Sequence, residues 1–230
     1  MISIVIPLYE KSARIIPLLS ATLTRINLQT YRDSEIIIYD TTDAEDLTKQ
    51  IENIKELKIR YIKNPILCNM ATNLNLAFKE ATREIIHINH IDTYFLYNSS
   101  LEKVLNNFDK RKGWLTSGYT HTRDGLGLFK PQVPKWNNEI YINNTIGTSS
   151  CLYFLKENCP SMDENLDIFA DCEYYYQLFK QYGEPKILED IIFGQLLWEN
   201  PDKKDDTQED INKEIQYIVN KYSIKKEEKN

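Results

Sequence analysis

Two side chains that can bind a metal ion, His90 and Asp92, follow a short apolar run from Ile85 to Ile88. The run is typical of a buried strand, and in an extended chain residues two apart point to the same face. If the extended conformation continues, the imidazole and the carboxylate share a face at the carboxyl end of the strand. Open α/β sheets bind their ligands at that end. The pair therefore predicts a site that holds a divalent cation against a diphosphate.

The chain before this site alternates between segments with strand patterns and segments with helix patterns. Buried strands are predicted at 3–7, 35–40, 59–62 and 85–88, and helices at 15–26, 46–57 and 69–81. Such alternation is the pattern of parallel strands joined by right-handed crossovers. We therefore expect an α/β fold with a mostly parallel central sheet flanked by helices, of the kind that binds nucleotides.

The chain after this site has a less regular pattern. Helices are predicted at 101–108 and 171–182, and strands at 114–119, 151–155 and 187–193. Residues 120–144 predict a long irregular segment, whose aromatic content favours a binding loop. Its Trp136 and Tyr141 could stack on an acceptor sugar, although packing on their own domain is the commoner outcome for loop aromatics.

These elements predict one main domain, 1–200, followed by a C-terminal appendage. Within the domain, 1–92 would form the nucleotide-binding half and 93–200 the acceptor and catalytic half. The appendage, 201–230, contains a charged linker, an amphipathic helix at 211–222 and a polar tail. We expect that helix to pack on the domain or on a second copy of the chain, as in a homo-oligomer.

Composition excludes several classes of protein. The 230 residues are 42% hydrophobic and 27% charged, as in ordinary soluble domains. No apolar run is long enough to span a membrane, and Met1 leads straight into a strand, so we expect a cytoplasmic protein. The net charge of −6 argues against non-specific binding to nucleic acid or anionic lipid. The four cysteines lack the spacing of a zinc site, so reduced thiols are expected.

The first glycine in the chain is Gly113. A Gly-rich phosphate loop or a dinucleotide fingerprint is therefore excluded from the N-terminal half, because both need glycines for close backbone approach. A nucleotide phosphate bound there must be neutralised by a metal ion or by side chains, which again indicates Asp92. The same absence argues against a nucleotidyltransferase, which would carry such a loop after its first strand.

Five segments occur in an order and spacing found together in one enzyme family. They are Ser3–Glu10, Leu28–Tyr31 with Glu35–Asp40, Asn75–Phe78 with Ala81, His90–Asp92, and Phe169–Asp171. This pattern resembles the inverting nucleotide-sugar glycosyltransferases of family 2, which have the GT-A fold. The third segment is similar to that family's Arg-Asn-x-Gly helix, the fourth to its Asp-x-Asp metal motif, and the fifth to its Glu-Asp pair. The resemblance extends from Ser3 to about Ile192.

The resemblance implies how a nucleoside-diphosphate sugar would be bound. Pro7, Tyr9 and Asp40 would line the nucleobase pocket, and the Asp40 carboxylate would accept a hydrogen bond from a uracil-like ring. Asn75 would also contribute to the donor site. A UDP-sugar is therefore the expected donor.

The resemblance also implies metal and catalytic roles. Asp92, with His90 in place of the first Asp of the motif, would bind Mn²⁺ or Mg²⁺ bridging the diphosphate, and the metal would offset charge on the leaving group. Asp171 would be the general base that takes the proton from an acceptor hydroxyl. The resulting expectation is a metal-dependent, inverting glycosyltransferase whose acceptor is a hydroxyl of a glycan.

Departures from the family pattern keep alternatives open. His90 replaces an Asp, and because imidazole is a softer ligand it suits Mn²⁺ better than Mg²⁺. Ala170 stands where the family has Glu beside the base, and Thr41-Thr42-Asp43 replaces an Asp-Gly-Ser loop. A non-catalytic module that binds a sugar nucleotide or a glycan is one alternative. A modified nucleic-acid base is an alternative acceptor.

Each candidate residue also has a structural interpretation. Asp92 could cap a turn, His90 could be a partly buried, hydrogen-bonded imidazole, and Asp171 could be the N-cap of its helix. Asp40 could be an ordinary carboxylate at the end of a strand.

Overall fold

The structure of the chain, a computed structural model, describes residues 1–9, 14–42, 47–51, 57–64, 66–197 and 206–222. The strands are β1 Ile2–Leu8, β2 Ser34–Asp40, β3 Ile59–Lys63, β4 Ile85–Ile88, β5 Thr93–Phe95, β6 Trp114–Thr122, β7 Leu128–Gln132, β8 Leu152–Leu155 and β9 Lys186–Leu196. The helices are α1 Ile15–Asn27, α2 Thr48–Ile51, α3 Met70–Glu80, α4 Ser100–Asn107, α5 Ala170–Tyr182 and α6 Gln208–Tyr222, with a 3₁₀ turn at Ser149–Cys151.

The strands form one mixed sheet in the order β3-β2-β1-β4-β8-β6-β9-β5, and β7 pairs with β6. The four strands β3, β2, β1 and β4 are mutually parallel. Strand β8 runs antiparallel to both β4 and β6, and β6 runs parallel to β9. The expected α/β fold is confirmed, with its parallel part in the N-terminal half. The two predicted halves share one sheet, since β4 of the first pairs with β8 of the second.

Helices cover both faces of the parallel part, which explains why its strands are apolar at nearly every position. In β1, Ile4 and Ile6 belong to the core cluster that includes α1, whereas Val5 belongs to the cluster that includes α3. Alternate residues of a strand point to opposite faces, so a strand covered on both sides needs apolar residues in succession. This packing fixes where each strand ends and therefore where its polar terminal residues lie.

The prediction of an irregular segment at 120–144 is wrong in its first part. Strand β6 continues to Thr122, and β7 returns antiparallel to it. Pro131 lies in β7, which is an edge strand, the position in a sheet that tolerates proline. The three-residue β5 is also absent from the sequence prediction. Of the helix predicted at 46–57, the structure shows Thr48–Ile51. Leu47 and Leu57 lie outside that helix, and 46 and 52–56 lie outside the described residues, as do most of the linker predicted at 200–206 and the tail at 225–230.

The loop aromatics pack on their own domain. The Trp136 ring lies 4.5 Å from that of Phe179, and the Tyr141 ring lies edge-on to Tyr176, with centroids 5.2 Å apart. These contacts assign both side chains to packing.

The C-terminal helix α6 also packs on the domain, through the fully buried Ile218. No helix within the described ranges is long and apolar enough to cross a membrane.

The buried imidazole of His87 predicts that the free energy of unfolding falls in acid. It stacks on Tyr153 with ring centroids 4.4 Å apart, and burial lowers the pKa of His87 to about 4. In the unfolded chain, the His87 imidazole takes up a proton near pH 6.5. The contribution of neutral His87 to the free energy of unfolding is therefore fully present above pH 6.5 and is lost as the pH falls towards 4. We expect a loss of about 3 kcal/mol from this group.

Urea unfolding at pH 7.5, 5.5 and 4 measures this loss. The His87→Phe variant keeps the aromatic stack but cannot titrate, so its stability should fall less over the same interval. Equal pH dependence in the two proteins would contradict the assignment.

Candidate active site

A tight turn carries His90 and Asp92. Strand β4 ends before them, and the Thr93 N–H donates to the His90 carbonyl at 3.0 Å. The Asn89 side chain also donates to the His90 and Thr93 carbonyls, at 2.9 and 3.1 Å. The expectation that an extended strand aligns His90 and Asp92 on one face is therefore wrong, because strand alternation does not apply within a turn. The turn still lies at the carboxyl end of β4, beside β1.

The 3₁₀ turn that begins with Ser149 and Ser150, here called the serine turn, links His90 to Asp171. The Nε2 atom of His90 lies 2.8 Å from Ser149 Oγ, and the Ser149 N–H donates to Asp171 Oδ2 at 3.2 Å. The next residue, Ser150, accepts a hydrogen bond from the His90 N–H at 3.1 Å. The structure thus brings together the fourth and fifth of the segments singled out in the sequence. Nothing in the sequence pattern marks Ser149 and Ser150, which only precede a predicted strand.

The carboxylate of Asp171 has one oxygen that accepts no hydrogen bond. Helix α5 has Phe169 as its N-cap, so Asp171 is the second residue of the helix and not its cap. Its Oδ1 atom is buried and has no hydrogen-bond partner in the described part of the chain. Burial raises the pKa of Asp171, while His90 and the Ser149 hydrogen bonds act in the opposite direction. A carboxylate with a raised pKa and an unfilled acceptor position is suited to take up a proton.

The carboxylate of Asp40 is fully buried and saturated with hydrogen bonds. Oδ1 accepts from the Thr42 N–H and hydroxyl, at 2.8 and 2.7 Å. Oδ2 accepts from the Tyr61 hydroxyl at 2.7 Å and from Lys63 Nζ at 3.0 Å. Four donors match the capacity of a carboxylate, so a nucleobase N–H can bind here only if one of them gives way. Tyr61 and Lys63 come from β3, and no pattern in the sequence connects them with Asp40.

Pro7 and Tyr9 lie at the same edge of the sheet. Strands β1 and β2 pair in register, with Pro7 opposite Tyr39 and Leu8 opposite Asp40. Tyr9 follows β1, and its ring lies edge-on to that of His90, with centroids 6.4 Å apart. The predicted nucleobase residues and the His90 turn therefore share one edge, formed by the carboxyl ends of β1, β2 and β4.

The side-chain amide of Asn75 forms hydrogen bonds to other residues of the protein. Its Nδ2 donates to the Met162 carbonyl and to Glu164 Oε1, both at 2.9 Å, and its Oδ1 accepts from the Met162 N–H at 2.8 Å. A contact with a donor substrate would require one of these bonds to be released. Asn75 therefore joins α3 to the segment before α5, and its donor-binding role stays a prediction.

A second asparagine of α3, Asn73, holds the sheet edge together. Its Nδ2 donates to the Leu8 and Tyr39 carbonyls, at 3.1 and 3.0 Å, and to the Thr41 hydroxyl at 3.0 Å. It thereby ties the end of β1 to the end of β2. The sequence carried a signal for it, since Asn73 is a polar residue on the apolar stripe of its helix.

The residues present fit a cation that takes most of its ligands from a diphosphate. No group of three or more His, Cys, Asp or Glu side chains that could hold a metal is found among the described residues. Asp92 is a partly exposed carboxylate in the turn, and a cation bridging phosphates needs only one or two protein carboxylates. His90 fits less well, because its Nε2 already contacts Ser149.

Comparison with known protein families gives one match, which covers more than half of the chain. A sequence model of the family described as glycosyl transferase family 2 matches residues 3–159. This range includes β1, β2 and the His90 turn, and it ends before α5. No curated protein sequence matches the chain.

Solved structures with a similar fold include a mannosyltransferase, and their sequence identity to this chain is low. TarS of S. aureus superposes with a TM-score of 0.71 and 16% identity, over 98% of this chain and 40% of that one. TarS 1-349 in complex with UDP-GlcNAc gives 0.70 and 16%, over 98% and 67%. The mannosyltransferase PcManGT of Pyrobaculum calidifontis, with GDP-Man and Mn²⁺, gives 0.64 and 16%, over 87% and 58%. At such identities the likeness shows the fold, and this chain spans less than half of full TarS.

The hydrogen bonds to Asp40 predict the effect of removing one donor. In Tyr61→Phe, the buried carboxylate loses the 2.7 Å bond from the Tyr61 hydroxyl. We expect the free energy of unfolding, measured in urea, to fall by about 2 kcal/mol, the usual contribution of a hydrogen bond to a charged group.

Tyr97→Phe is the matched control, because that side chain is 61% exposed. It should change stability by less than about 0.5 kcal/mol. Equal effects of the two substitutions would show that the Tyr61 hydroxyl does not support Asp40.

Proposed function

This chain belongs to glycosyl transferase family 2, and we propose that it moves a sugar from a nucleoside diphosphate, in the first place UDP, to an acceptor hydroxyl with inversion at the anomeric carbon. The observation that carries the proposal is the Asp171 carboxylate, whose Oδ2 accepts from the Ser149 N–H and whose Oδ1 accepts no hydrogen bond from any described residue. That oxygen can accept the proton of an acceptor hydroxyl.

The carboxyl edge of β1, β2 and β4 is the proposed donor site. Pro7 in β1 and Tyr9 just after it would contact the nucleobase. Asp40 would accept a hydrogen bond from the nucleobase if Tyr61 or Lys63 gave up its hydrogen bond to Oδ2. The UDP-GlcNAc and GDP-Man bound to proteins of similar fold support a nucleotide sugar as donor. Asp40 at the end of β2 is the reason for testing UDP first, since a carboxylate acceptor complements the N–H of a uracil ring.

We propose Asp92 as the protein ligand of a divalent cation, Mn²⁺ or Mg²⁺, at the diphosphate. Such a cation, when bound, offsets negative charge on the departing diphosphate. His90 could join through its Nδ1 atom while Nε2 stays on Ser149. The Mn²⁺ in the mannosyltransferase of similar fold supports this metal.

The transfer proposed for this site is a single displacement. The acceptor oxygen attacks the anomeric carbon from the side opposite the diphosphate, as the bond from that carbon to the phosphate oxygen breaks. Asp171 accepts the proton of the acceptor hydroxyl, and the diphosphate leaves with the electron pair of the broken bond. One displacement at the anomeric carbon inverts its configuration. A hydroxyl of a glycan is the proposed acceptor.

Replacing the proposed base separates catalysis from binding. Asp171→Asn keeps the shape of the side chain but cannot take up the proton. We expect kcat to fall by about 100-fold or more, as for other general bases, with donor affinity changed less than about twofold. Release of UDP from UDP-GlcNAc, with water as acceptor until a glycan acceptor is identified, measures the rate, and calorimetry measures binding.

Glu184→Gln is the matched control, since Glu184 is exposed and lies just after the same helix. It should keep the wild-type rate. An Asp171→Asn enzyme with the wild-type rate would refute the assignment of the base.

Removing the proposed metal ligand should remove the effect of the metal on binding. We expect wild-type protein to bind UDP at least about 10-fold more tightly with Mn²⁺ than with a chelator, and Asp92→Ala to bind equally under both conditions. His90→Gln should keep most of the difference, because the Asp92 carboxylate remains and His90 would add only a neutral Nδ1 ligand. Calorimetric titration with UDP measures each Kd. Metal dependence that survives in Asp92→Ala would contradict the assignment.

A further inference from the structure

Helix α5 begins without a side-chain cap of its own. Its N-cap residue, Phe169, offers no hydrogen-bonding side chain, so the backbone N–H groups at this end need partners from elsewhere. Glu214 of α6 instead binds the backbone N–H groups of the N-cap residue and of the two residues before it. Oε1 of Glu214 accepts from the N–H groups of Asp167 and Ile168, at 2.9 and 3.2 Å. Oε2 accepts from those of Ile168 and Phe169, at 3.0 and 2.9 Å.

Three successive backbone N–H groups around one carboxylate make a specific anion-binding geometry. The negative charge also lies at the positive end of the α5 dipole, where it is favourable. Hydrogen bonds from both oxygens fix the carboxylate and the backbone relative to each other. A separate element of the chain thus holds the segment at 167–169.

Helix α6 is itself held against α5. Lys221 Nζ lies 2.7 Å from Glu173 Oε1 of α5 and 2.6 Å from Asp163 Oδ2. The Tyr222 hydroxyl donates to the same Glu173 oxygen. Because Glu173 is fully buried, its contacts with Lys221 and Tyr222 cannot be replaced by water without movement of α6. Glu214 is therefore presented from a docked helix.

The held segment leads directly into the site. Asp171 follows Phe169 by two residues, and the only hydrogen bonds to its carboxylate within the described residues come from Ser149. Ser149 holds only Oδ2, so the direction of Oδ1 also depends on the position of the Asp171 backbone in the first turn of α5. A misplacement of about 1 Å at a reacting group can cost about 100-fold in rate.

We propose that Glu214 is a positioning residue for sugar transfer: from the C-terminal helix, it fixes the start of α5 and thereby the direction of the Asp171 carboxylate. The inference rests on the proposed role of Asp171 as the base. It gives α6 a function in catalysis, although Glu214 lies 43 residues after Asp171 and outside the range matched by the family, 3–159.

The test compares Glu214→Gln and Glu214→Ala with Glu209→Gln. Gln keeps one acceptor oxygen, and Ala keeps none. Glu209 lies on the same helix, and its side chain is 77% exposed beside Lys213. Amide hydrogen exchange at 167–169 reports the hydrogen bonds, and release of UDP from UDP-GlcNAc with Mn²⁺ gives kcat and KM, all well below the unfolding temperature of each variant.

We expect exchange at 167–169 to be faster in both Glu214 variants. We expect kcat to fall by about 10-fold in Glu214→Gln and about 100-fold in Glu214→Ala, with KM for the donor within about twofold of wild type. Glu209→Gln should match the wild type in every measurement.

Four results would overturn the inference. Exchange at 167–169 that is unchanged in Glu214→Ala would show that the carboxylate does not hold the segment. Faster exchange with an unchanged kcat would show that the contact is structural only. A rise in KM equal to the fall in kcat would indicate general damage to the site. If wild-type protein releases no UDP or GDP from UDP-GlcNAc or GDP-Man, the proposed function fails and this inference fails with it.

Discussion

The hydrogen bond from the Ser149 N–H to Asp171 Oδ2, at 3.2 Å, is the contact around which the site is organised. It joins the serine turn before β8 to the first turn of α5, and the same serine contacts His90 at the end of β4. Three parts of the chain that are far apart in sequence meet at this residue. If Ser149 moved, the imidazole and the carboxylate would no longer share a neighbour.

Asp171 accepts fewer hydrogen bonds from the described residues than the buried carboxylates Asp40 and Glu173. Asp40 accepts from four donors, and Glu173 accepts from Lys221, Tyr222 and Gln177. Leaving a buried carboxylate oxygen unfilled costs free energy, so filled oxygens are the expected outcome of folding. Asp171 Oδ1, which accepts no hydrogen bond from the described residues, is an exception, and this agrees with the proposed role of Asp171 as the base.

The sequence predicted the parallel part of the fold because each of its strands is an uninterrupted apolar run ended by polar residues. It placed Asp40 and Asp92 at strand ends for the same reason. It did not predict the turn at His90, because period-two alternation was extended beyond Ile88, where the backbone has already left the strand. Strand β7 was missed because its Pro131 and exposed positions do not alternate like those of a central strand.

The contacts that assemble the site could not be predicted, because they join residues distant in sequence. Ser149 contacts His90, and Lys63 contacts Asp40, without any local pattern that marks either pair. Likewise, the amphipathic stripe of α6 predicted burial of Ile218 but gave no reason to connect Glu214 with the start of α5. Periodicity reports which face of an element is buried, whereas the identity of the partner depends on the assembled fold.

A crystal structure of the protein with UDP-GlcNAc and Mn²⁺ would show whether the donor sugar lies against the Asp171 carboxylate. We expect a nucleotide at the carboxyl edge of β1, β2 and β4, its diphosphate beside Asp92, and an anomeric carbon whose open side faces Asp171 Oδ1. A nucleotide bound elsewhere, or a sugar turned away from Asp171 with the Ser149 contact intact, would contradict this expectation.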